Sequence, residues 1–237
     1  MMTAEEEINP NRIARVAGIL YLIIFCLGIF AELFVRQSLI VPGDAATTVN
    51  NIMASESLFR ISLVSDLIRH TFLILLPLVL YQLLKPVGKN IALLMVIFAL
   101  AGVPIALLNM LNHFAALLLL SGADYLTAFE ADQLHAQVMF FLDLYEYGAF
   151  IPQFLGLWLL PLGYLVFKSG FLPRILGILL MIGCFGYVTD AVLFFLFASS
   201  AATLSLFAFI GELLFALWLL IKGVNIEQWE KLALESA

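Results

Sequence analysis

Charged residues are scarce in this chain of 237 residues. Only 12% of the residues are Asp, Glu, Lys or Arg, whereas 64% are hydrophobic, and the mean hydropathy is +1.09. Soluble globular domains average about 25% charged and about 45–50% apolar residues. The net charge of −6 also leaves no basic surplus for binding nucleic acid. The composition therefore excludes a soluble enzyme, a disordered chain and a nucleic-acid binder. It indicates an integral membrane protein whose main partner is the lipid bilayer.

Cysteine and glycine-rich motifs are equally sparse. The chain has two cysteines, Cys26 and Cys184, and both lie within apolar runs. Their spacing matches neither a disulfide framework nor a zinc motif, so we interpret them as small hydrophobic side chains. The sequence contains no Gly-rich phosphate loop and no dinucleotide-binding fingerprint. A soluble nucleotide cofactor is therefore not indicated.

Long apolar runs dominate what is present. A bilayer core of about 30 Å needs roughly 20 apolar residues per helix. Six runs meet this length, at about 13–35, 57–84, 90–120, 136–167, 173–198 and 201–222, and a charged tail covers 223–237. The first run is too long for a signal peptide, and no small-residue cleavage site follows it. The sequence predicts one all-α polytopic domain over 1–237, with six transmembrane helices and no β-sheet.

The basic residues predict the orientation of these helices. Numbering the helix ends alternately collects eight basic residues on one side of the membrane, namely Arg12, Arg15, Lys85, Lys89, Lys168, Arg174, Lys222 and Lys231. The other side receives Arg36 and Arg60. Cytoplasmic loops are enriched in Lys and Arg. We therefore expect both termini in the cytoplasm and a multi-pass protein of the bacterial inner membrane.

The loops and the tail carry three local signals. Asp44 follows a Pro-Gly turn and predicts the N-cap of a short interfacial helix. Thr127 and Glu130 have capping-box spacing and predict the start of the fourth long helix. Trp229 in the tail is expected at the membrane interface.

Polar side chains within the spans are the strongest functional signal. A charge at the centre of a span costs about 2.5–3.5 kcal/mol on insertion scales, so such residues usually face the protein interior. Several of them follow i, i+3, i+4 spacing, which puts them on one face of their helix. We expect one outward-opening polar cavity in the outer half of the bundle. Its candidate ligand-binding residues are Asp66, Arg69, His70, Asn109, Asn112, His113, Asp143, Glu146, Tyr147, Asp190 and Glu212.

Acidic residues outnumber basic ones in this predicted layer. Five carboxylates, those of Asp66, Asp143, Glu146, Asp190 and Glu212, are expected to face a single arginine, Arg69. In a medium of low dielectric constant such acids must protonate, form hydrogen bonds or bind a cation. The preferred hypothesis is binding or transport of a cation, a proton or a small polar solute.

Three alternatives stay open at this point. An intramembrane zinc hydrolase needs three protein ligands. The candidates are His70, His113 and one of Asp143, Glu146 or Asp190, with Glu146 as the first choice. Haem between His70 and His113 as axial ligands is a second alternative. The third is a purely structural protein in which the polar residues only hold helices together. We expect no cofactor, and zinc and haem are the two cofactors to test for. The sequence does not indicate an oligomeric state.

Four blocks of the sequence resemble a known family. They are FAELFVRQSLIVPGDAATTVNNIMASESLFR at 30–60, LYQLLKPVGKNIALL at 80–94, LLNMLNHFAALLLLSGADYL at 107–126 and GLWLLPLGYLVFKSGFLPRILGILL at 156–180. Together they resemble the bacterial membrane-protein family known as domain of unknown function 4386. The resemblance implies a six-helix membrane protein and implies no activity.

Overall fold

The described part of the chain is helical throughout its regular structure. The computed structural model describes residues 9–197 and 204–235, and the side chains of 153–155 are outside this description. Within these residues every regular element is a helix, so the all-α prediction is confirmed.

The first four helices occupy residues 10–119. Helix α1 is Pro10–Leu39 and contains a π-helical segment at Phe30–Arg36. Helix α2 is Ala45–Ala54, α3 is Glu56–Leu84 and α4 is Lys89–Leu119. Pro77 and Pro104 lie inside α3 and α4, respectively.

The described residues after α4 form six further helices. Helix α5 is Ala131–Gly148, α6 is Phe150–Phe154 and α7 is Leu159–Ser169, with a 3₁₀ turn at Leu155–Trp158 between α6 and α7. Helix α8 is Arg174–Phe197, α9 is Ser205–Ile221 and α10 is Ile226–Glu235. A 3₁₀ turn at Asp124–Ala128 precedes α5.

Five segments are long and apolar enough to cross a membrane, namely Pro10–Leu39, Glu56–Leu84, Lys89–Leu119, Ala131–Ser169 and Arg174–Phe197. Helices α9 and α10 make a sixth candidate when taken together, although the chain bends by 98° between them. The described residues therefore support five to six spans. The beginning of the predicted span 201–222 and the last residue of the span 173–198 lie outside the described residues.

The loop and tail predictions had different outcomes. Asp44 is the N-cap of α2, because its side chain accepts a hydrogen bond from the Thr47 backbone N–H. The predicted Thr127 cap was wrong: Thr127 lies in the 3₁₀ turn, and Glu130 and Gln133 form the capping box of α5. Trp229 is buried, and its Nε1–H donates to the Leu83 carbonyl oxygen at 2.8 Å. The tail helix is therefore held by protein contacts at this residue.

The chain divides into two compact units. The first comprises Met1–Leu22, Ile74–Ala101 and Phe154–Ala237, and the second comprises Ile23–Leu73 and Gly102–Gln153.

Close backbone approach characterises the first unit. A Cβ atom on Gly177 of α8 would lie 2.5 Å from the Gly163 carbonyl oxygen of α7, and one on Gly183 would lie 2.8 Å from Ala208 Cα of α9. Small residues let helix backbones approach where no water drives association. The helices α7, α8 and α9 are thus held together by small-residue packing.

An apolar cluster forms the core of the second unit. Helix α2 contributes Val49 and Ile52, which pack with buried side chains of the surrounding helices. These partners are Val35, Leu39, Phe59, Ala116, Leu117, Val138 and Leu142. The cluster fixes α1, α3, α4 and α5 relative to one another within this unit, and it thereby positions the polar side chains described below.

The cap of α2 makes the stability of this helix depend on pH. Hydrogen bonds from Thr47, chiefly from its backbone N–H, lower the pKa of Asp44 below its ordinary value of 3.8. The cap therefore stabilises α2 fully above the unfolded-state pKa, and this contribution is lost as the pH falls through the lower folded-state pKa. We expect the Asp44→Ala variant to exchange the backbone amides of α2 faster than the wild type at neutral pH. Hydrogen exchange measured by mass spectrometry checks this.

The matched control is Asp44→Asn, because asparagine also caps helices but does not titrate. The protection of its α2 amides, taken relative to the intrinsic exchange rate at each pH, should stay high and should not decrease in acid below about pH 4, near the ordinary Asp pKa. Equal exchange rates in Asp44→Ala and wild type at neutral pH would contradict the role of this cap.

Candidate functional site

Arg36 is a buried residue at the end of the π-helical segment of α1. The Gln37 backbone N–H donates to the Glu32 carbonyl oxygen, five residues back, which is the π-helical hydrogen-bond pattern. Arg36 is only 6% exposed, and its Nε donates to Glu32 Oε2 at 2.8 Å. Arg36 belongs to the second unit, and its guanidinium contacts helix α3 there.

Asp66 of α3 is shared by two arginines. Its side chain is 0% exposed, and Arg36 Nη1 donates to Asp66 Oδ2 at 2.6 Å. Arg69, one turn further along α3, places its Nε 3.2 Å from Asp66 Oδ1. A buried carboxylate needs a paired charge, and here it has two. Together with Tyr145 and His113, described next, these three residues are called the Asp66 cluster.

Tyr145 and His113 complete the Asp66 cluster from α5 and α4. The Tyr145 hydroxyl donates to Asp66 Oδ2 at 3.2 Å, and the Arg36 guanidinium lies 5.2 Å from the centre of the Tyr145 ring. The His113 ring stacks on the Tyr145 ring with centroids 3.6 Å apart, and Phe59 contacts His113 edge-on at 5.4 Å. His113 is fully buried, and neither of its ring nitrogens has a hydrogen-bond partner among residues 9–197 and 204–235.

The other predicted polar residues of α3 and α4 lie beside this cluster. His70 Nδ1 is 2.6 Å from the Asp66 carbonyl oxygen, which can only accept, so Nδ1 carries the proton. Asn109 Nδ2 donates to the Tyr145 carbonyl oxygen at 2.8 Å, and Asn112 Nδ2 donates to Asn109 Oδ1 at 2.9 Å. The two asparagines therefore connect α4 to the end of α5. They do so at Tyr145, the residue whose hydroxyl donates to Asp66.

The predicted stripe on α5 lies on a different face from the cluster. Helix α5 buries Val138 and Leu142, and Tyr145 follows them at helical spacing. Glu146 and Tyr147 are exposed and Asp143 is only half-buried. In the described part of the chain, Asp143 and Glu146 form no hydrogen bond or ion pair with Asp66, Arg36 or Arg69. The inward face of α5 contributes a tyrosine to the cluster where the sequence suggested carboxylates.

Asp190 and Glu212 belong to the first unit and have partners there. The Ser205 backbone N–H donates to Asp190 Oδ2 at 2.8 Å, and the Tyr187 hydroxyl donates to Glu212 Oε1 at 3.1 Å. Both carboxyl groups are buried.

The balance of charge in the second unit differs from the sequence expectation. Arg36 was expected in an outer loop. It lies in helix α1 and forms ion pairs with Glu32 of the same helix and with Asp66 of α3. The expectation of a single arginine among the buried acids was therefore wrong. The clues that the sequence offered were the i, i+4 spacing of Glu32 and Arg36 and the absence of a helix breaker before Pro42.

The geometry does not assemble the proposed zinc ligands. Glu146, the third candidate, is exposed, whereas His70 and His113 are buried. Across the described ranges, no three His, Cys, Asp or Glu side chains are grouped to hold a metal ion. For haem, both imidazoles are packed in protein, and Tyr145 covers one face of His113. A porphyrin would have to displace these neighbours.

Comparison with known proteins gives a family and no activity. An uncharacterised protein of Archaeoglobus fulgidus is 36% identical over 151 residues, which is 63% of this chain and 75% of the relative. No solved structure matches the chain. The model of the family described as "Domain of unknown function (DUF4386)" matches residues 16–223, which include the whole second unit with its Asp66 cluster and most of the first unit. The chain therefore belongs to the DUF4386 family.

Proposed function

We propose that the second unit binds a small polar solute with an oxyanion group inside the membrane, and that Arg69 holds this group. The observation that carries the proposal is the incomplete pairing of Arg69. Its side chain is 28% exposed, and its partner among the described residues is a carboxylate that it shares with Arg36. An ionisable residue within a membrane span generally marks a substrate or ion pathway.

A guanidinium is suited to this role because it can donate two parallel hydrogen bonds to a carboxylate or phosphate. Arg69 uses Nε toward Asp66, which leaves the Nη groups for a ligand. A Cβ atom at residue 28 would lie 3.4 Å from Arg69 Nη1, so the absence of a side chain on Gly28 leaves room for the guanidinium.

The same charges disfavour a cation at this site. Two guanidinium groups flank the carboxylate of Asp66, which is fully buried in the second unit. A cation approaching Asp66 would meet like charge at short range, and like charges are repelled strongly in a medium of low dielectric constant. Of the ligands that the sequence suggests, we therefore prefer a small polar solute to a cation.

Asp66, Arg36 and Tyr145 serve the proposed site by positioning Arg69. Arg36 and the Tyr145 hydroxyl fix Asp66 Oδ2, and the opposite oxygen faces Arg69 Nε. A charged group held in place by its neighbours loses less conformational entropy when a ligand binds. The solute would thus meet a preorganised guanidinium.

Ligand-dependent stability tests the role of Arg69. We expect acetate and inorganic phosphate to raise the melting temperature of the purified protein in detergent above its value in chloride of equal ionic strength. A ligand at a hundred times its Kd adds about 2.7 kcal/mol to the free energy of unfolding. The Arg69→Gln variant should lose this shift, because it lacks the charge and the bidentate donors.

The matched control is Arg60→Gln, because Arg60 is an exposed arginine of the same helix, paired with Glu56. It should keep the anion-dependent shift. Equal shifts in wild type and Arg69→Gln would contradict the proposal, and no shift with either anion would indicate a purely structural network.

We further propose that the chain lies in the cell membrane with both termini in the cytoplasm. The basis is the excess of Lys and Arg at one set of helix ends, which increases once Arg36 is counted within α1. Reporter fusions after residues 87 and 170 should give cytoplasmic signals, and fusions after residues 43 and 124 should give external ones. An external signal at 87 or 170 would contradict this orientation.

A further inference from the structure

Glu212 is a carboxylic acid with no basic partner among the described residues of the first unit. It lies on α9, is 6% exposed, and accepts a hydrogen bond from the Tyr187 hydroxyl of α8 at 3.1 Å. None of the ion pairs among residues 9–197 and 204–235 involves Glu212. The nearest basic residue along α9 is Lys222, ten positions away, or about 15 Å at 1.5 Å per residue.

The groups around Glu212 are neutral or acidic on each packed element. Helix α1 contributes Tyr21. Its ring centroid lies 6.1 Å from that of Phe215, and Phe215 follows Glu212 by one turn of α9. Helix α8 contributes Tyr187, with Cys184 one turn before it and Asp190 one turn after it. Asp190 Oδ2 is engaged by the Ser205 backbone N–H. The described surroundings therefore supply hydrogen bonds and no positive charge.

This setting differs physically from that of Asp66. A carboxylate in a membrane span costs several kcal/mol unless a positive charge is nearby, and a protonated carboxyl avoids most of this cost. Asp66 has two arginines, whereas Glu212 has a phenol hydroxyl. A neutral acid can accept that hydrogen bond through its carbonyl oxygen and keep its own proton.

We infer that Glu212 is a proton-binding site of the first unit, with Tyr187 as the residue that positions its carboxyl group. The ligand is the proton itself, held by one carboxyl oxygen while the other accepts from the Tyr187 hydroxyl. This site is independent of the solute site proposed at Arg69, because it consists of different residues in a different unit.

Dicyclohexylcarbodiimide tests the protonation state directly. This apolar reagent adds across its C=N bond the O–H of a protonated carboxyl group, and the adduct is located by peptide mass spectrometry. We expect the intact protein in detergent to be labelled at Glu212, and labelling to fall about tenfold for each pH unit above the midpoint of a one-proton titration. Glu212→Gln should abolish the adduct, and Glu227→Gln, which changes an exposed glutamate of the tail, should not.

Two further measurements make the outcome decisive. Tyr187→Phe should displace the pH profile of labelling, whereas Tyr164→Phe, which changes an exposed tyrosine of α7, should leave it in place. If 100 mM Na⁺ suppresses labelling at constant pH and K⁺ does not, the site binds a cation and the inference is wrong. Absence of labelling at every pH overturns it as well. Suppression by Na⁺ and absence of labelling are both measured on the wild-type protein. The inference can therefore be tested even if a variant fails to fold.

Discussion

A charge buried among membrane helices must be neutralised within the protein, and in the second unit that charge is Asp66. Its fully buried carboxylate is bound by Arg36 from α1, by Arg69 from its own helix and by the Tyr145 hydroxyl from α5. Three helices are therefore held in one relative arrangement by a single carboxylate. Removing a partner of a buried ion pair typically costs about 3–5 kcal/mol, which exceeds most single packing contacts.

The two units are stabilised by different physical means, and their polar groups differ accordingly. In the first unit, glycines of α7 and α8 allow direct backbone contact, and the buried acids Asp190 and Glu212 each accept a hydrogen bond from a neutral donor. In the second unit, an apolar cluster under α2 surrounds an ion-pair network. A network with a partly exposed guanidinium is suited to bind an anion, whereas a buried acid beside a phenol is suited to hold a proton.

The sequence predicted the helical fold well and the site only in part. The spans can be located from length and hydropathy alone. The cap at Asp44 can be predicted as well, because it depends only on residues close to it in the sequence. Arg36 was missed because the first span was ended at residue 35 and because a π-helical turn changes which side of the helix a residue faces. Spacing placed Asp143 and Glu146 on one face of α5 correctly but could not reveal that the buried face carries Leu142 and Tyr145.

The most direct test of this account is a double-mutant cycle between Arg36 and Asp66, measured as the free energy of unfolding in detergent micelles. We expect Arg36→Gln and Asp66→Asn each to destabilise by up to about 3–5 kcal/mol, because each removes the buried Arg36–Asp66 pair. The second ion pairs, of Asp66 with Arg69 and of Arg36 with Glu32, compensate this loss only in part. The double variant should be more stable than the sum of the single effects implies, with a coupling energy of about 1–3 kcal/mol. Strictly additive effects, or a loss below about 1 kcal/mol in both single variants, as for an exposed ion pair, would contradict the central role of this buried pair.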